Sequence, residues 1–129
     1  MPKIFTSKTQ KTGEIGEHVA CRYLEGKGYS ILERNYTKKW GEIDIVARRS
    51  GVIYFVEVKS KIGFQTNEID AYRPEDNMHP WKLKRLERTI QTYLMEKNIE
   101  GEWQLSLAVV YLSSDLKEAK VNFLENLVV

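Results

Sequence analysis

The chain has 129 residues, 42% apolar and 29% charged, with 20 basic against 18 acidic side chains and a net charge of +2. That composition fits one globular domain over residues 1–129 and excludes a disordered polymer, while its short apolar runs exclude a transmembrane helix. One cysteine excludes an intramolecular disulfide or a Cys-based zinc cluster, and two isolated histidines argue against a His-rich metal site.

Residues 1–12 carry Lys3, Lys8 and Lys11 without an acid and read as a flexible basic tail. Met1-Pro2-Lys3, followed by Ile4, Phe5 and polar residues, lacks the apolar segment of a signal peptide, so a cytoplasmic protein without membrane association is expected. From Gly13 to Lys27, Ile15, Val19, Ala20, Tyr23 and Leu24 fall on one helical arc, which Gly28 ends. Tyr29–Tyr36 predicts a first strand.

Glu42–Arg49 and Val52–Lys61 are the clearest strands. The first alternates Ile43, Ile45 and Ala47 against Glu42, Asp44 and Val46. The second alternates Val52, Tyr54, Val56 and Val58 against Ile53, Phe55, Glu57 and Lys59. Ser50-Gly51 suits the tight turn of a hairpin. Residues 62–80 are a long polar connection. Pro80 then opens a helix over 81–97 with Leu83, Leu86, Ile90, Tyr93 and Leu94 at helical spacing. Trp103–Leu112 is a continuous apolar run, as in a central strand covered on both faces, and Val121 and Phe123 mark a last strand. The predicted fold is α/β, a mixed sheet flanked by helices in the order α-β-β-β-α-β-β. A right-handed crossover joins its third and fourth strands.

Chemistry concentrates in Gly41-Glu42-Ile43-Asp44 and Glu57-Val58-Lys59. With Ser50-Gly51 as the turn, paired positions sum to 101, which sets Asp44 opposite Glu57 and Glu42 opposite Lys59. Directly opposed carboxylates, with Cβ atoms roughly 4.5–5.5 Å apart, repel each other. A hard divalent cation would remove that repulsion, and Mg²⁺ or Mn²⁺ is the natural candidate beside phosphate. Lys59 can orient water or neutralise a phosphate. Glu17 borders the apolar arc of the first helix, where a charge needs a partner. Each residue also has a plainer reading: Glu42–Lys59 as a cross-strand ion pair, Asp44 and Glu57 as solvated, or the register shifted by one.

These residues resemble the PD-(D/E)XK nuclease superfamily, and within it the YraN-like bacterial family, which is similar to archaeal Holliday-junction resolvases. The resemblance runs from about Gly13 to Leu94. It is carried by Gly13-Glu14-Ile15-Gly16-Glu17, Arg34-Asn35-Tyr36, Gly41-Glu42-Ile43-Asp44, Phe55-Val56-Glu57-Val58-Lys59, and Pro80, Lys82, Arg85 and Leu86. It implies a restriction-endonuclease-like fold. It implies Asp44, Glu57 and the Val58 carbonyl as metal ligands, Lys59 as catalytic lysine, and Glu17 as a helix-borne acid at the metal. The stretch from Lys59 to Lys82 is longer than the family's usual connection. Gln104-Leu105-Ser106 stands where the family often has Arg-Phe-Asp.

The function this implies is one-step hydrolysis of a DNA phosphodiester by water activated at the metal, with branched or structured DNA as substrate by analogy. Lys82, Lys84, Arg85 and Arg88 would contact phosphates, or form an ordinary solvated face. Trp40 and Trp81 would stack on a base or pack, and Trp103 and Cys21 belong to the core. A two-fold dimer would supply the surface that a four-way junction needs. The alternative is a non-catalytic nucleic-acid-binding or protein-interaction module on the same fold.

Overall fold

The computed structural model describes residues 8–63 and 79–127. Helix α1 (Lys8–Gly26) precedes β1 (Ser30–Lys38), β2 (Gly41–Arg49) and β3 (Val52–Ile62). Helix α2 (Pro80–Glu96) leads to β4 (Trp103–Leu112) and β5 (Ala119–Leu127). The order is the expected α-β-β-β-α-β-β. The five strands form one sheet in sequence order, antiparallel except for the β3–β4 pair, which is parallel. A parallel pair needs a crossover, and α2 lies within that connection.

Helix α1 starts earlier than the apolar periodicity suggests. Lys8–Thr12, expected as part of a tail, are helical; residues 1–7 lie outside the described residues. Most of the 62–80 connection, residues 64–78, also lies outside them. Helix α2 is capped by His79, whose Nδ1 accepts from the Trp81 N–H, with Pro80 in the first turn. The β2–β3 turn places both Ser50 and Gly51 at positive φ, 51° and 79°, the conformation that a two-residue primed turn requires.

Each face of the sheet carries a core. Leu86, Ile90 and Tyr93 of α2 pack on Phe55, Leu105, Leu107 and Val109. Ala20, Cys21 and Leu24 of α1 pack on Tyr54, Val56, Ala108 and Val110. Strand β3 alternates between the two cores as predicted. Strand β2 does not. Ile45 and Ala47 join the α1 core, but Ile43 joins the α2 core. The expected single face for Ile43, Ile45 and Ala47 is therefore wrong, and the alternation breaks at Asp44. On the β1 side, pairing passes from Arg34↔Ile45 to Tyr36↔Ile43, and Asn35, opposite the break, has a positive φ of 53°. An αL residue in an edge strand changes the local twist and re-aims the neighbouring side chains.

Candidate active site at the end of the central strands

The predicted register holds for five pairs, from Arg49↔Val52 to Ile45↔Val56, each summing to 101. The ladder stops one residue short of Asp44 and Glu57. Asp44 instead uses its side chain: Oδ2 accepts a 2.8 Å hydrogen bond from the Val58 N–H. The carboxylate takes the place of a backbone carbonyl and lies only 8% exposed between β2 and β3. The expected opposition of Glu42 and Lys59 does not form. The β2–β3 ladder ends at Ile45↔Val56, and the two side chains line different cavities, Glu42 a mainly basic one and Lys59 an acidic one.

Glu17, Asp44, Glu57, Val58 and Lys59 line one cavity of about 490 Å³, together with Thr12, Gly13, Ser60 and Ile62. The close approach of α1 makes this possible. A Cβ on Gly16 would lie 1.7 Å from Ser60 Oγ and 2.9 Å from Ser60 Cβ, so only glycine lets the helix pass at this height. Glu17, one residue on, is half-buried as a result.

Three carboxylates share this small volume, and their electrostatics follow. Burial pushes the Asp44 carboxyl up to about 8, the Glu57 charge adds to the rise, and the Val58 N–H opposes it. Glu17 is also raised, first by burial, against a hydrogen bond from the Asn35 side chain and the nearby Arg34 charge. Glu57 is held differently. Its Oε1 accepts from Lys82 Nζ at 2.7 Å, with the Glu57 side chain only 12% exposed.

Asp44 and Glu57 also face a second cavity, of about 470 Å³, on the other side. Its lining includes Lys38, Lys39, Trp40, Glu42, Lys82 and Arg85. Of the four basic residues predicted to meet nucleic acid, Lys82 and Arg85 line this second cavity. Arg88 lies over the Trp40 ring, its guanidinium carbon 4.2 Å from the centroid. Lys84 is exposed and lines neither cavity. Trp81 is 71% exposed, whereas Trp103 packs edge-on against Phe55.

The donor chemistry suits a hard cation: carboxylate oxygens, one backbone carbonyl and no soft ligand. A carboxylate accepts several contacts, so the Val58 hydrogen bond does not exhaust Asp44. Among the described residues no three Asp, Glu, His or Cys side chains converge as a ready ligand set. Glu57 is turned onto the Lys82 ammonium, which stands where a cation's charge would. Mg²⁺ needs only one or two carboxylates, with water and phosphate completing its shell, so the residues present fit it.

Sequence reasoning misses two partners of this site. Asn35 and Arg34 act on the Glu17 carboxylate, one by a hydrogen bond and the other by its charge. Their signal is the Arg34-Asn35-Tyr36 block, which carries the resemblance without a role of its own. Lys82 reads as a phosphate contact or part of a solvated face, since nothing in local periodicity places it against Glu57.

Fold and site together define a small mixed α/β protein with an acidic cleft, a lysine at its edge and a basic cavity alongside. The family model of UPF0102, described as an uncharacterised protein family, matches residues 16–112. The chain is 40% identical over 105 residues to a UPF0102 protein of Campylobacter lari, covering 81% of this chain and 87% of the relative. It is 38% identical over 119 residues to one of Alkaliphilus oremlandii, covering 91% and 97%. With one of Helicobacter pylori it shares 33% over 125 residues, covering 97% of each chain. The chain belongs to the UPF0102, YraN-like family. No helix among its described residues is long and apolar enough to cross a membrane.

Proposed function

We propose that this protein is a divalent-metal-dependent phosphodiesterase of the PD-(D/E)XK superfamily with a restriction-endonuclease-like fold, an endonuclease acting on DNA in the cytoplasm. The observation that carries this reading is the gathering of Glu17, Asp44, Glu57, Val58 and Lys59 around one cavity from three separate elements. Asp44, Glu57 and the Val58 carbonyl would hold Mg²⁺ or Mn²⁺, with Glu17 lining the same cavity as a further acidic group. The bound ion supplies Lewis acidity to the phosphoryl oxygens and neutralises charge that develops there. Asp44 and Glu57 line both cavities, so an ion held there would stand where the acidic cleft meets the basic one. Lys59, exposed at the mouth, orients the attacking water and balances the negative charge of the transition state. Arg85 and Lys39 hold flanking phosphates. These contacts position a backbone and carry no sequence information, which suits a substrate recognised by shape, such as branched DNA. A two-fold dimer would present two such sites.

The test is a cleavage assay on duplex, single-stranded, flapped and four-way-junction DNA with Mg²⁺, Mn²⁺ or EDTA. Wild type is run beside Lys59→Ala and Asp44→Ala. Metal-dependent cutting lost in both variants supports the reading. No cutting and no calorimetric metal binding by folded protein overturns it. That outcome would leave the second reading, a non-catalytic nucleic-acid-binding or interaction module, which the pairing of Glu57 with a lysine favours.

A further inference from the structure

Glu57 faces both cavities, and its partner sits in the second. Lys82 Nζ lies 2.7 Å from Glu57 Oε1, and its side chain is 38% exposed, against 12% for Glu57. The lysine is the more exposed member of the pair. It projects from the first turn of α2 on a long flexible stem, whereas Glu57 is fixed in a central strand. Its situation differs from that of Lys38 in the same cavity, which pairs with Glu96 at 2.7 Å, away from the acidic cleft. Lys82 is paired with a carboxylate that the proposed function gives to a metal ion. A divalent ion on Glu57 would both neutralise that carboxylate and repel the ammonium. The displaced charge would remain in a cavity also lined by Lys39 and Arg85.

Resting on that reading, we infer that Lys82 is a transferable counter-charge: it neutralises Glu57 while no divalent cation is bound, and passes to a nucleic-acid phosphate in the Trp40-side cavity when a cation takes Glu57. Two consequences follow. Lys82 competes with metal for Glu57. Metal and nucleic acid bind with positive coupling, because each releases the other's partner.

The experiment has one arm without metal and one with it, both on the full chain, with folding checked by circular dichroism. In EDTA, the affinity for fluorescein-labelled DNA and RNA hairpins is measured by anisotropy. Glu57→Gln frees Lys82 and is expected to tighten binding about three- to tenfold, and the gain should vanish in Glu57→Gln/Lys82→Met. Hairpin preference tells which backbone supplies the phosphate. In the second arm, calorimetry with Mn²⁺ should show about tenfold tighter metal binding for Lys82→Met than for wild type, with Lys82→Arg unchanged. A gain that survives in the double variant means loss of Glu57 repulsion alone, and overturns the inference. So does equal Mn²⁺ affinity in wild type and Lys82→Met, which leaves the metal-dependent function standing. Absence of Mn²⁺ binding in every variant overturns the metal reading, and the exchange with it.

Discussion

The Val58 amide donates to Asp44 Oδ2 at 2.8 Å, with Asp44 one residue and Val58 two residues beyond the last regular pair of the β2–β3 ladder, Ile45↔Val56. A side-chain oxygen thus continues what the backbone has abandoned. The arrangement fixes the carboxylate's orientation and keeps Val58, the residue whose carbonyl the resemblance gives to a metal, in the lining of the acidic cleft. The cost is a buried acid beside two others, and that cost makes the first prediction.

Asp44 should destabilise the metal-free protein at neutral and alkaline pH. Its folded-state value of about 8 stands far above the ordinary 3.8, with burial the leading cause. Between those values the folded chain keeps a proton that the unfolded chain has lost. Stability contributed by this group is thus complete below about pH 4 and falls as pH rises through 8. Asp44→Asn does not titrate and can still accept from Val58. In EDTA, its melting temperature should exceed that of wild type at pH 8, and the gap should close toward pH 4. A gap that stays flat across this range would refute burial as the cause.

Divalent metal should reverse that penalty. An ion bound only to the folded state raises its stability by mass action. Adding Mg²⁺ or Mn²⁺ at pH 8 should raise the wild-type melting temperature, with no change in Asp44→Asn and a reduced change in Glu17→Gln. The ordering reflects position: Asp44 is central and buried, and Glu17 lies at the rim on α1. Equal shifts in all three proteins would place the binding elsewhere.

Much of this site is legible in the amino-acid sequence. The turn at Ser50-Gly51 sets the register, and the alternation of β3 puts Glu57 and Lys59 on one face. The remainder is hidden for physical reasons. Alternation assumes an unbroken ladder, so it cannot foresee that Ile43 crosses to the α2 core where Asn35 turns left-handed. The Lys82–Glu57 pair joins residues separated by a long connection, and helical periodicity reports a residue's face without its partner. Arg88 reads as a free phosphate contact because a sequence does not reveal that Trp40 lies beneath it.

The Arg88–Trp40 stack gives a third prediction. Arg88→Ala removes one cation from the face beside the second cavity and uncovers the indole. Trp40 fluorescence, isolated in a Trp81→Phe/Trp103→Phe background, should shift to the red. Affinity for duplex DNA should fall about threefold, and the salt dependence should lose roughly one phosphate's worth of slope. Lys84→Ala, away from both cavities, should have the smaller effect on affinity. A larger loss from Lys84 than from Arg88 would move the nucleic-acid track to the outer face of α2.

Gly16 tests whether the helix position sets the chemistry. An added methyl would meet Ser60 Oγ at 1.7 Å and Ser60 Cβ at 2.9 Å, so α1 must move or β3 must give. Overpacking at Gly16→Ala should cost about 1–3 kcal/mol, offset by up to about 1 kcal/mol from improved helix propensity, for a net loss of stability. Ser60→Ala removes only the oxygen and leaves the 2.9 Å contact, so it should rescue the variant partially. Ser60→Gly removes both contacts and should restore more of the packing. Because Glu17 follows Gly16 on the same helix, displacing α1 should also weaken Mn²⁺ binding, and that affinity should recover in step with the rescue. Stability restored by Ser60→Gly without recovery of metal affinity would separate the helix from the site and remove Glu17 from it.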